Sequence, residues 1–271
     1  MLNLQWCHAR APRYALAQPP SDMHKPYAST SGPLDPQGRA SATPGAQDEA
    51  TNAWHAFELE LDHLVVAAGS LGAGSAWLEE RLGVTLQPGG KHLGWGTHNR
   101  LLGLGHSTYL ELIAPDPTQP PPAAPRPFGI DRPDLRAMIC RQPRLVHYVM
   151  RTPRLDGALA ALGYDPGPVS EMARGELRWR ITLPADGNPA GGGLLPTLIQ
   201  WHVDPARHPA RVLADRAVAL SALRICAPAP VIATLAGIDR DPRVALATTG
   251  GERAPELCAV LATPCGTVVL R

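Results

Sequence analysis

The 271-residue chain is poor in the residue types that hold together small secreted domains and long helical bundles. Its five cysteines are an odd number with no CxxC spacing, which argues against a disulfide framework or a cysteine-based zinc site. Phenylalanine occurs only twice. The 30 prolines would interrupt long helices, so a mostly helical bundle is not expected.

Charge excess and long apolar runs are missing as well. Lys+Arg number 25 and Asp+Glu 24, so the chain lacks the basic surplus of proteins that bind nucleic acid or membrane surfaces. No apolar run approaches the ~18 residues of a membrane span, and the N-terminus lacks the apolar core of a secretory signal. The sequence therefore predicts a cytoplasmic protein that acts on a small molecule, without a nucleic-acid or membrane partner.

What the sequence does contain is an internal repeat behind a polar tail. Residues 1–57 are rich in Pro, Ser and Ala, and we expect them to be disordered. Leu61-Asp62-His63-Leu64 aligns with Leu145-Val146-His147-Tyr148, and Tyr109-Leu110-Glu111-Leu112 aligns with Leu198-Ile199-Gln200-Trp201. An internal repeat of this kind determines the architecture more than any single motif does.

The repeat predicts an α+β fold of tandem βαβββ modules that form a curved mixed sheet around a cleft. The predicted segments are a first module at 58–116, a Pro-rich connector at 117–143, a second module at 144–205 and a partial third module at 216–271. Within the first module, Ser70 and Gly83 are expected to begin and end a helix over residues 71–82. The third segment has no histidine where the first two modules have one, which favours a structural role.

The first and last strands of each module supply the candidate site: His63, Glu111, His147 and Gln200. Two imidazoles, a carboxylate and an amide oxygen suit a divalent ion such as Zn, Ni, Co, Mn or Fe. Glu111 interrupts an apolar strand, where a carboxylate is costly unless it is paired or bound to metal. A one-residue register shift would instead turn Tyr148 inward in place of His147.

The doubled arrangement, with L-D-H-L-V-V opening the first module and Y-L-E-L-I-A-P-D closing it, resembles the vicinal oxygen chelate superfamily. The stretch G-G-K-H-L-G-W-G-T-H-N-R is similar to the glyoxalase-like domain group of that superfamily. The resemblance covers about residues 59–205. It implies a metal held from both modules and a small substrate that offers two neighbouring oxygens.

The resemblance implies a metal-dependent lyase or isomerase of glyoxalase type, in which Glu111 or His98 moves the proton. Gln200 stands where glyoxalase I has a carboxylate base, and glutamine cannot take up a proton near neutral pH. Two histidines and a carboxylate also suit an Fe(II) extradiol-type dioxygenase. A metal-free protein that sequesters an apolar ligand is a further alternative. The two modules could pair within one chain or between the chains of a homodimer.

Overall fold

The computed structural model describes residues 57–105, 107–236, 241–250 and 254–271, which form an eight-stranded and a four-stranded sheet. The tail predicted over residues 1–57 lies outside the described residues apart from Phe57. No helix in the described ranges is both long enough and apolar enough to cross a membrane.

The first module has the predicted β-α-β-β-β order. Its elements are β1 (Glu60–Ala67), α1 (Leu71–Leu82), β2 (Gln87–His92), β3 (Thr97–Gly103) and β4 (Tyr109–Pro115). Helix α1 begins and ends at the predicted residues. The Ser70 side chain accepts a hydrogen bond from the Ala73 amide, and Gly83 ends the helix with a φ of 70°, a conformation that costs glycine little.

The connector is more ordered than an extended Pro-rich segment. It contains a 3₁₀ turn (Pro127–Gly129) and helix α2 (Pro133–Arg141). Pro133 is in the first turn of α2, where its missing amide hydrogen costs nothing, and Asp134 and Arg141 carry charges that favour their respective helix ends. The Pro-rich composition of the connector therefore did not indicate that helix α2 begins at Pro133.

The second module repeats the order of the first. Its elements are β5 (Arg144–Arg151), α3 (Leu155–Ala161), β6 (Val169–Arg174), β7 (Leu177–Thr182) and β8 (Thr197–Trp201). A 3₁₀ turn (Ala190–Gly193) precedes β8, and a second one (Pro205–Arg207) leads to the short helix α4 (Pro209–Val212).

The two modules share one curved mixed sheet with the strand order β2-β3-β4-β1-β5-β8-β7-β6. Strand β1 runs parallel to β4 within its module, and β5 runs parallel to β8. The modules join through antiparallel pairing of β1 with β5. The predicted α+β fold with a curved mixed sheet is thus confirmed.

The C-terminal segment forms the smaller sheet. Its elements are β9 (Ala219–Ala227), α5 (Ala229–Thr234), β10 (Val244–Thr248), β11 (Glu256–Thr263) and β12 (Gly266–Leu270). The strand order is β10-β9-β11-β12, so β9 pairs with the next strand, β10, whereas β1 pairs with the last strand of its module. The segment repeats the element order of a module but not its topology.

The two faces of the large sheet have different neighbours. Leu64, Leu110 and Leu112 point to the face that packs against α1, α3 and the smaller sheet, and they form the larger core cluster. Val65, Ile113 and Ile199 point to the opposite face, which carries the smaller apolar cluster and the cleft. This alternation along each strand separates the packing residues from the site residues.

Candidate functional site

The cleft on the concave face is asymmetric although the fold is duplicated. The first module supplies most of its polar side chains, among them His63, His92, Asn99 and Glu111. Apolar walls come from both halves of the fold and include Trp95, Phe128, Trp179, Ile181, Ile199 and Trp201. A small ligand would therefore meet acid–base groups at one end and aromatic surface around the rest.

A β-bulge in β1 builds the centre of the site. Leu61 pairs with Met150 and His63 with Val149 on β5, so Asp62 is an extra residue without a partner there. Bulges redirect side chains that strict alternation would send to opposite faces. Asp62 Oδ1 consequently lies 2.6 Å from His63 Nδ1, and both residues are buried. This contact orients the ring so that Nε2 faces the cleft.

Glu111 faces that nitrogen from β4. Its Oε2 lies 3.5 Å from His63 Nε2, and its Oε1 accepts a 2.6 Å hydrogen bond from Asn99 Nδ2. His92 Nε2 lies 3.8 Å from Oε1 of the same carboxylate. The Tyr109 ring stacks on the His63 ring with centroids 4.6 Å apart. His63 and Glu111 are only 3% and 6% exposed, so little water competes for these contacts.

The close contacts set the charges of the three central groups. Burial opposes the charged form of His63, but its hydrogen bonds to Asp62 and Glu111 outweigh burial and raise its pKa. Burial likewise favours protonated Glu111, but the hydrogen bond to His63 and the nearby His92 lower its pKa. The pKa of Asp62 is also held low, because hydrogen bonds from His208 and His63 outweigh its burial. At neutral pH an imidazolium thus lies between two carboxylates.

Trp201 and His208 form hydrogen bonds with the second carboxylate oxygen of Asp62, Oδ2. Trp201 Nε1 donates to Asp62 Oδ2 at 3.0 Å, and His208 Nε2 lies 2.9 Å from the same oxygen. The Ala210 amide donates to His208 Nδ1, so His208 Nε2 carries a proton that points at Asp62. Arg151 Nη1 lies 3.8 Å from Asp62 Oδ2. The buried carboxylate therefore has partners on both oxygens.

His147 lies on the cleft face of β5 but is engaged elsewhere. Its Nδ1 lies 3.1 Å from the Gly193 carbonyl oxygen, and its Nε2 accepts a 3.1 Å hydrogen bond from the Thr197 amide. Burial lowers the pKa of His147 to about 4, which keeps the ring neutral. Both ring nitrogens are thus used in joining β5 to the start of β8. In this arrangement His147 bonds to the start of β8 and the turn before it, and not to Glu111.

Gln200 is on the wrong face to join the site. Ile199 and Trp201 line the cleft, so Gln200 between them points away, with Nε2 donating to the Pro153 carbonyl oxygen at 2.5 Å and Oε1 accepting from Arg180. The strand pairing shows which residue corresponds to Glu111 in the second module. In the first module, Val65 on β1 is two residues after His63 and lies opposite Glu111. In the second module, Val149 on β5 is two residues after His147 and lies opposite Thr197. The structural counterpart of Glu111 is therefore Thr197.

His98 is also outside the cleft. Its neighbours Thr97 and Asn99 line the cleft from β3, and His98 points to the other face, with Nδ1 3.9 Å from Asp116 Oδ1. Burial lowers the pKa of His98. The position of His98 thus does not support the proton-transfer role predicted for it. The neighbouring residue, Asn99, is the one that points into the cleft.

The sequence pattern of the glyoxalase-like domain family matches residues 61–237, which is more than half of the chain and includes both modules. The chain belongs to the glyoxalase-like domain family. The predicted membership in the vicinal oxygen chelate superfamily is thereby confirmed. No curated protein matches this glyoxalase-like chain in sequence.

Solved structures similar to this glyoxalase-like protein include a hypothetical protein from Staphylococcus aureus, with 12% identity, a TM-score of 0.44 and coverage of 78% of this chain and 84% of that one. Methylmalonyl-CoA epimerase from Mycobacterium tuberculosis has 22% identity and a TM-score of 0.32, over 52% and 85% of the two chains. A variant of the Streptomyces coelicolor epimerase, in complex with 2-nitronate-propionyl-CoA, has 18% identity and a TM-score of 0.35, over 53% and 97%. These similarities are too weak to assign a substrate.

Members of this superfamily commonly bind a divalent metal. The four ligands predicted from the sequence do not fit such an ion, because His147 has both nitrogens occupied and Gln200 faces away. No group of three or more His, Cys, Asp or Glu side chains in the described ranges is arranged to hold a metal. Of the four predicted ligands, His63 and Glu111 are in direct contact, whereas His147 and Gln200 bond to other groups.

Asp62, His92, Asn99 and His208 were not predicted as site residues. Asn99 and His92 had a weak signal: both lie in or beside the Gly-rich stretch, and Asn99 alternates with Thr97 and Leu101 toward the face of Glu111. Asp62 had no such signal, because regular alternation along β1 would point its side chain to the face of the sheet opposite to that of His63. His208 reaches Asp62 from 146 residues away.

Proposed function

We propose that this glyoxalase-like protein is an isomerase or lyase that moves a proton at a carbon atom next to a carbonyl group of a small substrate. The observation that carries the proposal is the pairing of Glu111 with His63 at 3.5 Å, with His63 oriented from behind by Asp62. A carboxylate and an imidazolium side by side are the base and the acid that enolisation needs. Family membership supports the same reaction class.

In the proposed reaction Glu111 takes the proton from carbon while His63 Nε2 donates its proton to the carbonyl oxygen, which gives an enol. Return of a proton to the same or the adjacent carbon gives the isomer, and His63 recovers its proton from the enol oxygen. Glu111 becomes a stronger base once a substrate occupies His63, because burial favours its protonated form and the His63 contact opposes that. The aromatic walls exclude water and strengthen the hydrogen bond to the enol oxygen.

Proton exchange with solvent tests this proposal directly. Phenylpyruvate and the hemithioacetal of phenylglyoxal with a thiol would be incubated with the protein in heavy water, and deuterium at carbon would be followed by proton NMR. We expect exchange that the Glu111→Gln variant loses by on the order of 100-fold or more. Glu171→Gln is the matched control, because Glu171 is an exposed strand glutamate outside the cleft. Equal exchange in wild type and Glu111→Gln would rule out the role of Glu111.

The metal-dependent form of this reaction stays a prediction with its own test. Metal analysis of protein purified without chelator, repeated on the His63→Ala variant, shows whether His63 and Glu111 retain an ion. Bound metal that is lost in the variant would favour the metal-dependent lyase or isomerase. Oxygen uptake on catechols with Fe(II) would favour the dioxygenase, and ligand binding without exchange would favour the sequestration protein.

A further inference from the structure

Arg174 is a cationic side chain that the proposed reaction does not use. It is the last residue of β6, and it lines the same cleft as His63 and Glu111. Its Nη1 lies 3.3 Å from Asn99 Oδ1, so a residue of the second module reaches the polar end of the cleft built by the first. A Cβ added at Gly90 would lie 2.4 Å from Arg174 Cδ, which shows that the absence of a side chain at Gly90 makes room for this arm.

Within the residues that the structure describes, Arg174 forms no ion pair with a carboxylate. No Asp or Glu oxygen in the described ranges lies within ion-pair distance of its guanidinium, and Asn99 offers only a neutral amide oxygen. The other buried charges of the site contact one another: His63 lies between Asp62 and Glu111, and Arg151 lies near Asp62 and pairs with Glu60. A half-buried guanidinium is costly without an anionic partner, so the cleft has one positive charge to offer a ligand.

The walls beside this charge are flat and apolar. Trp179 and Trp201 lie with ring centroids 5.3 Å apart, and Trp95 and Phe128 line the same cleft. Aromatic side chains pack well on planar or apolar groups, and they carry no net charge. The lining therefore favours a ligand with a flat apolar body and one acidic group.

We propose that the cleft binds small carboxylates with a flat apolar body, and that Arg174 determines this specificity by pairing with the ligand carboxylate. A planar guanidinium matches a carboxylate through two parallel hydrogen bonds, which a neutral amide cannot reproduce. Applied to the reaction, this rests on the proposed function and makes the substrate a carbonyl compound that also carries a carboxylate. The binding preference itself needs no catalysis.

Titration with phenylacetate and its neutral counterpart phenylacetamide tests the assignment, with tryptophan fluorescence and calorimetry as readouts. We expect the wild type to bind phenylacetate at least about tenfold more tightly than phenylacetamide. Arg174→Gln should lose that preference, because its neutral amide cannot pair with the carboxylate of phenylacetate. Arg178→Gln is the matched control, because Arg178 is exposed on β7 and contacts the carbonyl oxygens of Gly175 and Leu177.

Equal affinity of the wild type for the two probes, or no binding of either at millimolar concentration, would overturn the assignment, and neither result depends on the folding of a variant. A preference for phenylacetate that persists in folded Arg174→Gln would also overturn it. Deuterium exchange separates this proposal from the catalytic one. If the wild type prefers phenylacetate but shows no deuterium exchange, only the proposed reaction is ruled out. If it shows deuterium exchange but no preference for phenylacetate, only the proposed role of Arg174 is ruled out.

Discussion

Asp62 and His63 are adjacent in the chain, and their side chains are hydrogen-bonded to each other, with Oδ1 and Nδ1 2.6 Å apart. Neighbours in a regular strand point to opposite faces. The bulge between Leu61 and His63 removes that constraint, and it lets a buried carboxylate orient the imidazole that faces Glu111. The local defect in strand pairing is therefore what makes an acid–base pair in this cleft.

Replacing the orienting carboxylate should slow the reaction more than it weakens substrate binding. In Asp62→Asn the side chain keeps its shape but loses its charge, so the imidazolium of His63 is less stable and its pKa falls. We expect the deuterium-exchange rate at saturating substrate to fall on the order of 100-fold, with a smaller change in KM. NMR titration of the imidazole reports the pKa directly. Asp156→Asn is the control, because Asp156 is exposed and pairs with Arg180 outside the cleft.

Removing the His147 ring should cost stability without affecting metal content. His147→Ala would leave a cavity and an unpaired Thr197 amide in the core, with an expected loss of about 2–4 kcal/mol. Urea unfolding measures this loss. Tyr148→Phe is the milder comparison, because it removes only a hydroxyl that donates to the Leu194 carbonyl oxygen, at about 1 kcal/mol. Bound metal present in wild type and absent in His147→Ala would show that His147 is a ligand after all.

The buried imidazolium predicts a specific dependence of stability on pH. Because the pKa of His63 is higher in the folded state than in the unfolded chain, its contribution is fully present below about pH 6.5 and is lost as pH rises through the raised folded-state pKa. Wild type should therefore be more stable than His63→Gln by a margin that is larger at about pH 6 than at about pH 10.

The titratable groups near His63 are Asp62 on its own strand, Glu111 and Tyr109 on β4, His92 on β2 and His147 on β5. Thermal unfolding of wild type and His63→Gln is measured at the two pH values, and the stability difference between the proteins at one pH is subtracted from that at the other. Groups that titrate in the same way in both proteins cancel in this subtraction. A margin that stays constant or grows with pH would contradict a raised pKa of His63.

A methyl group at Gly89, which is outside the cleft lining, should displace a side chain that contacts Glu111. An alanine Cβ there would lie 2.0 Å from Asn99 Oδ1, so Asn99 must move and its hydrogen bond to Glu111 weakens. We expect Gly89→Ala to cost about 1–3 kcal/mol and to slow deuterium exchange. Gly72→Ala is the control, because that position in α1 has open space around it, and alanine should stabilise the helix by up to about 1 kcal/mol.

Sequence reasoning succeeded where the signal is local. The α1 boundaries followed from the capping by Ser70 and the left-handed conformation of Gly83, both of which depend on a few adjacent residues. It failed by three residues at Gln200, because the alignment of the two closing strands placed Gln200, and not Thr197, against Glu111. Period-two patterns turn such a slip into a change of face, and only the pairing of β5 with β8 identifies Thr197 as the counterpart of Glu111.

By itself, the sequence determined the duplicated α+β architecture, the family, and the presence of His63 and Glu111 on strands that share one cleft. It did so because the period of apolar residues and the short strand motifs are written along the chain. Tertiary structure alone decided that the polar groups come mainly from one copy, that Asp62 and His208 stand behind His63, and that Arg174 reaches across from the other copy. Those contacts depend on a bulge and on pairings between residues up to 146 positions apart, which no local pattern encodes.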